Sequence, residues 1–309
     1  MISPLTSQDD ARLLGRLSPK EIADKWWESM SVDVGDEFRN LEDIYYWECP
    51  ETGFRWYSPS QAAGGGGLYT QLEKFVWYYM PEKWEFFAAL NLLERASSVL
   101  EVGVGEGSFL KAARNKGHKV QGVELNPKGA ERARALGFEV HELMLDKLRM
   151  QTTERFDAIC SFQVLEHVPN PLEFLEGMIS LLKPGGKLIL SVPNASIMRK
   201  IDPKNQDLLN QPPHHMGHWD ERVFRALEAL LPVKVKSVHY EPLASYHIGW
   251  MVSGYLRSLL APLGKSIPRL LVNRYSTLPL QWIMRAGVCK FFPGHTLFIE
   301  LECQSNYTS

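Results

Sequence analysis

The sequence is short of the features that would place a protein outside the cell or across a membrane. Its four cysteines, Cys49, Cys160, Cys289 and Cys303, are widely spaced, so no disulfide framework is written into the chain and the reducing cytoplasm is its expected location. Cys160 falls in an apolar run, where a small buried thiol is the simplest reading. The first ten residues, Met-Ile-Ser-Pro-Leu-Thr-Ser-Gln-Asp-Asp, carry no basic and then apolar leader. No uncharged apolar stretch reaches the roughly 18 residues of a spanning helix. Neither sign of charge dominates, since 34 Lys and Arg stand against 36 Asp and Glu. That balance excludes a whole-surface field for nucleic acid, and no nucleic-acid partner is expected. There is no internal repeat. What remains is a chain of 309 residues, 45% hydrophobic, with ample material for one α/β domain and some additions.

Residues 1–85 are rich in Trp and Tyr, include the run Gly64-Gly65-Gly66-Gly67, and form an N-terminal extension. A helical pattern follows Pro81, with Trp84, Phe87, Ala88 and Asn91 along one face. The core then spans 86–243 and resumes at 294–304. Within it, strands at 98–103, 119–124, 138–143, 156–162 and 186–193 alternate with helices at 107–116, 127–136 and 171–182, which predicts a parallel sheet covered by helices. A helix at 220–231, with Asp220 as N-cap, precedes strands at 233–241 and 295–303. Residues 244–293 lie between those strands as a helical insertion.

The most specific signal is Val-Leu-Glu-Val-Gly-Val-Gly-Glu-Gly at 99–107, followed by Glu124 in Gly-Val-Glu-Leu-Asn-Pro. A strand running into Gly103, Gly105 and Gly107 makes a turn where main chain can approach a ligand, and an acid about twenty residues later can reach a ribose. A dinucleotide fingerprint needs a wider glycine spacing. The shorter spacing, opened by Glu101, resembles the class I methyltransferases that use S-adenosylmethionine. Phe-Asp-Ala-Ile-Cys-Ser-Phe-Gln-Val-Leu-Glu-His-Val-Pro-Asn-Pro at 156–171 resembles that family's fourth strand and loop. Leu-Lys-Pro-Gly-Gly-Lys-Leu-Ile-Leu-Ser-Val-Pro-Asn at 182–194 resembles its next turn and strand. The resemblance implies a mostly parallel seven-stranded Rossmann-like sheet with an antiparallel last strand, and S-adenosylmethionine as cofactor. Glu101 and Glu106 then lie near the donor's positive charges, and Glu124 accepts from both ribose hydroxyls. Met144 is a candidate apolar wall for adenine, and Phe162, Gln163 and Leu165 are expected to line the donor pocket at the C-terminal end of a strand.

For the acceptor, the sequence offers Gln-Pro-Pro-His-His-Met-Gly-His-Trp-Asp at 211–220. A hydroxyl must lose its proton on methylation, and His214 or His215 is the expected general base. The alternatives are that these histidines only bind substrate or cap the helix, or that His214, His215 and His218 hold a metal. No metal is expected, because no nearby Cys or carboxylate pair strengthens that spacing. Glu166 and His167 form a second candidate pair, read as holding a loop with catalysis as the alternative. The Pro-Pro-His-His motif resembles a branch found with polysaccharide and other glycan biosynthesis. That implies O-methylation of a sugar hydroxyl carried on a nucleotide, a lipid or a growing glycan. A small natural product as acceptor, or a donor-binding protein without turnover in a glycan assembly complex, are the rival readings. Relatives of this branch often carry a C-x-x-C zinc ribbon near the N-terminus, where this chain has Cys49-Pro-Glu-Thr52, so no zinc is expected there. Residues 68–84 resemble the family's aromatic lid.

The insertion differs from the rest in charge. Residues 242–299 contain no Asp or Glu but carry Arg257, Lys265, Arg269, Arg274, Arg285 and Lys290. Ile248, Met251, Val252, Tyr255, Leu256, Leu259, Leu260 and Leu263 recur there at helical spacing. Two expectations follow, a lid docked on the protein's own core or peripheral contact with an anionic membrane.

Overall fold

The apolar runs assemble into one large sheet and one small one. A computed structural model describes residues 1–304 apart from Tyr79, Lys265 and Arg274. Of the six cations noted in 242–299, Lys265 and Arg274 lie outside the described residues, as does the side chain of Arg269. The strands among the described residues are β1 (Arg12–Leu17), β2 (Ile44–Glu48), β3 (Arg55–Ser58), β4 (Ser98–Val102), β5 (Lys119–Val123), β6 (Glu139–His141), β7 (Phe156–Phe162), β8 (Leu182–Pro193), β9 (Gly217–His218), β10 (Val233–Pro242) and β11 (Pro293–Cys303).

The large sheet has the order β10-β11-β8-β7-β4-β5-β6. Its pairs from β8 to β6 are parallel, and β11 runs antiparallel to both β8 and β10. Side-chain alternation decides its two faces. Leu100, Val102, Leu188, Leu190, Leu297 and Ile299 join one buried cluster with Leu175, Met178, Phe224 and Leu227 from helices Pro171–Ser180 and Glu221–Leu230. The intervening Val99, Ala158, Cys160, Ile189 and Phe298 join another with Phe86, Ala89, Phe109 and Ala113 from helices Trp84–Leu92 and Ser108–Asn115. Cys160 is thus a buried core thiol. The helical face expected after Pro81 is corrected by one position. Phe86, Ala89 and Leu90 are buried and Phe87 is exposed, because Phe86 meets the rings of Phe109 and Phe162.

The N-terminal extension is more than an aromatic flap. Strands β1, β2 and β3 form an antiparallel sheet whose fourth member is β9, contributed by the segment that carries the paired histidines. Trp26, Ile44, Tyr46, Tyr57, Leu68 and Met216 share its buried core. The insertion folds as helices Ile248–Leu260, Ser266–Leu271 and Leu278–Arg285.

Candidate active site

The turn after β4 is built from backbone that only glycine adopts without strain. Gly103 has φ +84°, and a Cβ added there would stand 2.3 Å from Val164 Cγ2. The chain can therefore pass close under a ligand at this point. Gly105 donates its N–H to Glu124 Oε2 at 2.7 Å, while Asn126 N–H donates to Oε1 at 2.7 Å. Each carboxylate oxygen keeps a further lone pair for a ribose hydroxyl. Burial pushes the Glu124 carboxyl up, against the pull of these backbone donors. Glu101 lies on the sheet face of Val99, is buried, and has one carboxylate oxygen with no hydrogen-bond partner. Burial drives its carboxyl well above the usual range. A cationic group placed beside it supplies the missing partner and favours the ionised form.

These residues open into a cavity of about 1150 Å³, lined by Glu101, Gly103, Gly105, Glu124, Met144, Phe162 and Gln163 on one side and by His167, His214 and His215 on the other. This exceeds the roughly 300–1,000 Å³ of a single-ligand pocket and leaves room for two substrates. Two expected donor residues are not on its wall. Gly107 has φ +83° and caps helix Ser108–Asn115, where an added Cβ would meet Ala133 and Phe138, so it shapes the turn from behind. Leu165 turns into the main core instead, buried among the apolar side chains beneath β7. Glu106 lines the cavity but is paired with Arg132.

The histidine cluster is assembled from distant segments. Met216 N–H donates to the Glu166 carbonyl at 2.7 Å, and His167 Nδ1–H donates to the His214 carbonyl, tying the loop after β7 to the Pro-Pro-His-His segment. From the other side, Tyr57 N–H donates to the Met216 carbonyl at 2.9 Å and Gly64 N–H to the Pro213 carbonyl at 2.7 Å. The result is three imidazoles in mutual contact. His214 and His215 stack at 4.5 Å, and His167 stands edge-on to both at 4.7 and 5.0 Å.

His214 Nδ1–H donates to the Leu209 carbonyl at 2.9 Å, which directs its lone pair to Nε2, a buried atom with no partner in the protein. Burial lowers all three, His214 to about 3, His167 to about 4 and His215 well below its ordinary value, so the cluster is neutral at physiological pH. Three neutral imidazoles can accept a proton, and they can equally ligate a cation, since one nitrogen from each lies within 4.8 Å of the others. His218 is not part of the group. Its Nδ1 bonds the Tyr46 hydroxyl at 2.7 Å and its Nε2 the Asn210 carbonyl at 2.8 Å. The metal set weighed from spacing, with His218 as third member, is therefore corrected.

The cavity also contains the carboxyl groups of Glu166, Glu85 and Glu241, of which Glu85 and Glu241 were not flagged by the sequence. Glu166, with an unpartnered oxygen, is raised to about 8 by burial. Glu85 is buried and raised for the same reason, and Glu241 accepts from Thr296 Oγ1 at 2.8 Å. A second cavity of about 460 Å³ shares His215, Asn210 and Met198 with the first and is lined by Arg16, Arg55, Arg199 and Lys204. No short motif marks Glu85, Glu241 or these basic residues, and they converge only in three dimensions.

Sheet order, glycine turn and cavity together define a Rossmann-like class I methyltransferase. A family model described as a methyltransferase domain matches residues 72–297, and the chain belongs to this family of S-adenosylmethionine-dependent methyltransferases. It is 30% identical over 158 residues to a ubiquinone biosynthesis O-methyltransferase of Xanthomonas oryzae pv. oryzae, covering 44% of this chain and 66% of that protein. It is 36% identical over 122 residues to the protein of that name in Xanthomonas campestris pv. campestris, covering 37% and 50%. The chain thus spans two thirds or less of the length of these relatives. Among solved structures, it resembles coclaurine N-methyltransferase bound to N-methylheliamine and SAH, with TM-score 0.45, 18% identity and coverage of 70% and 72%. It also resembles an S-adenosylmethionine-dependent methyltransferase of Mesorhizobium loti, with TM-score 0.45, 16% identity and coverage of 72% and 100%.

Proposed function

We propose that the protein transfers a methyl group from S-adenosylmethionine to a hydroxyl of a sugar carried on a phosphate-containing nucleotide or lipid. The observation that carries the transfer reading is the unpartnered Nε2 of His214, standing in the same cavity as the buried, unpartnered carboxylate of Glu101. The residues present fit the donor. Glu101 offers its free oxygen to a cation, Glu124 offers lone pairs to a ribose, and the absent side chain of Gly103 leaves a cradle. Bound there, S-adenosylmethionine supplies an electrophilic methyl and leaves as S-adenosylhomocysteine. On the other side, His214 or His215 takes the proton of the acceptor hydroxyl as its oxygen gains the methyl, and Tyr69, Trp77 and Trp250 along the wall exclude water and offer faces for a sugar ring.

The acceptor class is supported by the second cavity. Arg16, Arg55 and Arg199 each spend part of their guanidinium on Asp43, Glu48 and Asp220, and keep further N–H donors for a phosphate next to His215. A second reading is methylation of a phenol. It is favoured by the names of the Xanthomonas relatives and by the low basicity of the buried imidazoles, which suits a more acidic hydroxyl.

Incubation of the purified chain with labelled donor and three acceptor classes, lipid-linked sugars, nucleotide sugars and polyprenylated phenols, tests this. Label in a sugar product is expected. Label only in the phenol moves the protein to the second reading, and donor binding without transfer to any class overturns the sugar proposal. Turnover is expected to survive chelation. Loss restored by a divalent cation would make the three histidines ligands and not bases.

A further inference from the structure

We propose that the 244–293 insertion docks the protein on an anionic lipid surface. A lid that only covered its own core would hide its large apolar side chains, and helix Ile248–Leu260 does hide some. Ile248, Met251 and Val252 pack on Ile197, Met198, Ile201 and Met284. The C-terminal end of that helix and the elements after it do the opposite. Leu259 is 74% exposed, Leu270 76%, Trp282 72% and Phe291 88%, with Ile283 also more than half exposed. Large apolar residues left in water at this density within one short stretch mark a contact surface, where single exposed ones elsewhere need no explanation.

Charge selects the partner. Residues 242–299 hold six Lys and Arg and no Asp or Glu, while the remainder of the chain holds 28 basic and 36 acidic residues, a net charge of −8. Arg257, Arg285 and Lys290 are exposed and form no ion pair with any described residue. An anionic bilayer attracts this segment and repels the body, so the molecule is oriented as well as held. Trp and Phe beside Arg and Lys are the side chains that settle at the headgroup level. Among the described residues no helix is long and apolar enough to cross a membrane, so the contact is peripheral.

The same segment also reaches the active site. Ala244, Tyr246, His247 and Trp250 line the large cavity, so the surface that meets lipid is continuous in sequence with the wall that meets the acceptor. Docking does not depend on the identity of that acceptor.

Flotation of the full chain with vesicles of phosphatidylcholine alone, or with about one third phosphatidylserine, tests the proposal at about 50 mM and about 500 mM salt. Binding to the anionic vesicles at low salt is expected, with at least a tenfold loss at high salt and on neutral vesicles. Trp282→Ser with Phe291→Ser, and separately the triple change Arg257→Gln, Arg285→Gln, Lys290→Gln, should each weaken vesicle binding about tenfold or more. S-adenosylhomocysteine affinity and the thermal midpoint should hold, which shows that the fold and donor site are intact. Failure of the folded, donor-competent wild type to float with anionic vesicles overturns docking. So does binding that neither variant changes, or a patch that mediates concentration-dependent self-association without vesicle binding. None of these outcomes bears on methyl transfer to a soluble acceptor, so the two proposals fail separately.

Discussion

On the donor side of the cavity, every residue comes from one stretch of chain, 101–163, in which consecutive βα units deliver Glu101, Gly103, Gly105, Glu124, Met144, Phe162 and Gln163 to one edge of a parallel sheet. On the acceptor side, His167 follows β7, His214 and His215 come some fifty residues later, and the strand that fixes them, β3, lies more than a hundred residues earlier. The first site is a property of a local motif; the second exists only because two sheets are packed together. The two halves should therefore fail differently, with the donor half sensitive to backbone and charge and the acceptor half sensitive to imidazole chemistry.

The largest expected effect separates them outright. His214→Gln should lower turnover by about 10²–10⁴-fold through loss of the proton acceptor, while the affinity for S-adenosylhomocysteine stays within about twofold. His215→Gln should fall in the same direction. Steady-state kinetics beside calorimetry checks both, with the thermal midpoint as a control, because His214 also meets Trp26 and Tyr78. Loss of donor affinity in step with turnover would break the comparison.

The converse experiment is next in size. Glu124→Ala removes a charged acceptor of two ribose hydroxyls and should cost about 1.5–3 kcal/mol of donor binding, roughly 10–150-fold in Kd. At saturating donor, turnover should stay near that of the wild type. Glu124→Gln keeps one carbonyl oxygen and should fall between them. Unchanged donor affinity in calorimetry would remove Glu124 from the site.

The smallest effect is on pH dependence. Burial lowers His167 to about 4 and His214 to about 3, so these two are already neutral near pH 5, and it shifts His215 in the same direction. Turnover should show no acidic limb from them between about pH 5 and 7, where an unperturbed histidine near 6.5 would produce one. Glu101 behaves oppositely. Burial favours its protonated form in the free protein and a bound cation favours the ionised form, so donor binding should release a proton and tighten as pH rises. Calorimetry in buffers of different ionisation enthalpy reads that proton. An inflection in turnover near pH 6.5, or binding with no proton released, would contradict these assignments.

Much of the fold was legible because its signals are local. The strands at 98–103, 119–124 and 156–162 were readable from apolar runs ending at turns, and Asp220 does cap helix Glu221–Leu230 by accepting from Val223 N–H at 3.1 Å. The Trp84–Leu92 face was misread because that helix is apolar on several sides, so spacing alone could not choose between Phe86 and Phe87. Leu165 was taken for a pocket residue because its position after a strand gives proximity to the site but no direction. His167, a second catalytic candidate with Glu166, was read first as a loop anchor. It does hold the loop, through Nδ1–H to the His214 carbonyl, and its ring also stands edge-on to His214 and His215.

The sequence by itself determined the sheet, the glycine turn and the acid after β5, and with them the donor class. Side-chain periodicity, a positive φ that needs glycine and the length of a βα unit are set within a few residues of chain. Tertiary structure decided which histidines meet. Tyr46 and Asn210 occupy both nitrogens of His218, whereas the loop after β7 brings His167 into its place. It also decided that the insertion hides one apolar stripe and exposes another. These outcomes depend on contacts between segments tens to hundreds of residues apart, each worth little alone, and only the packed whole selects among them.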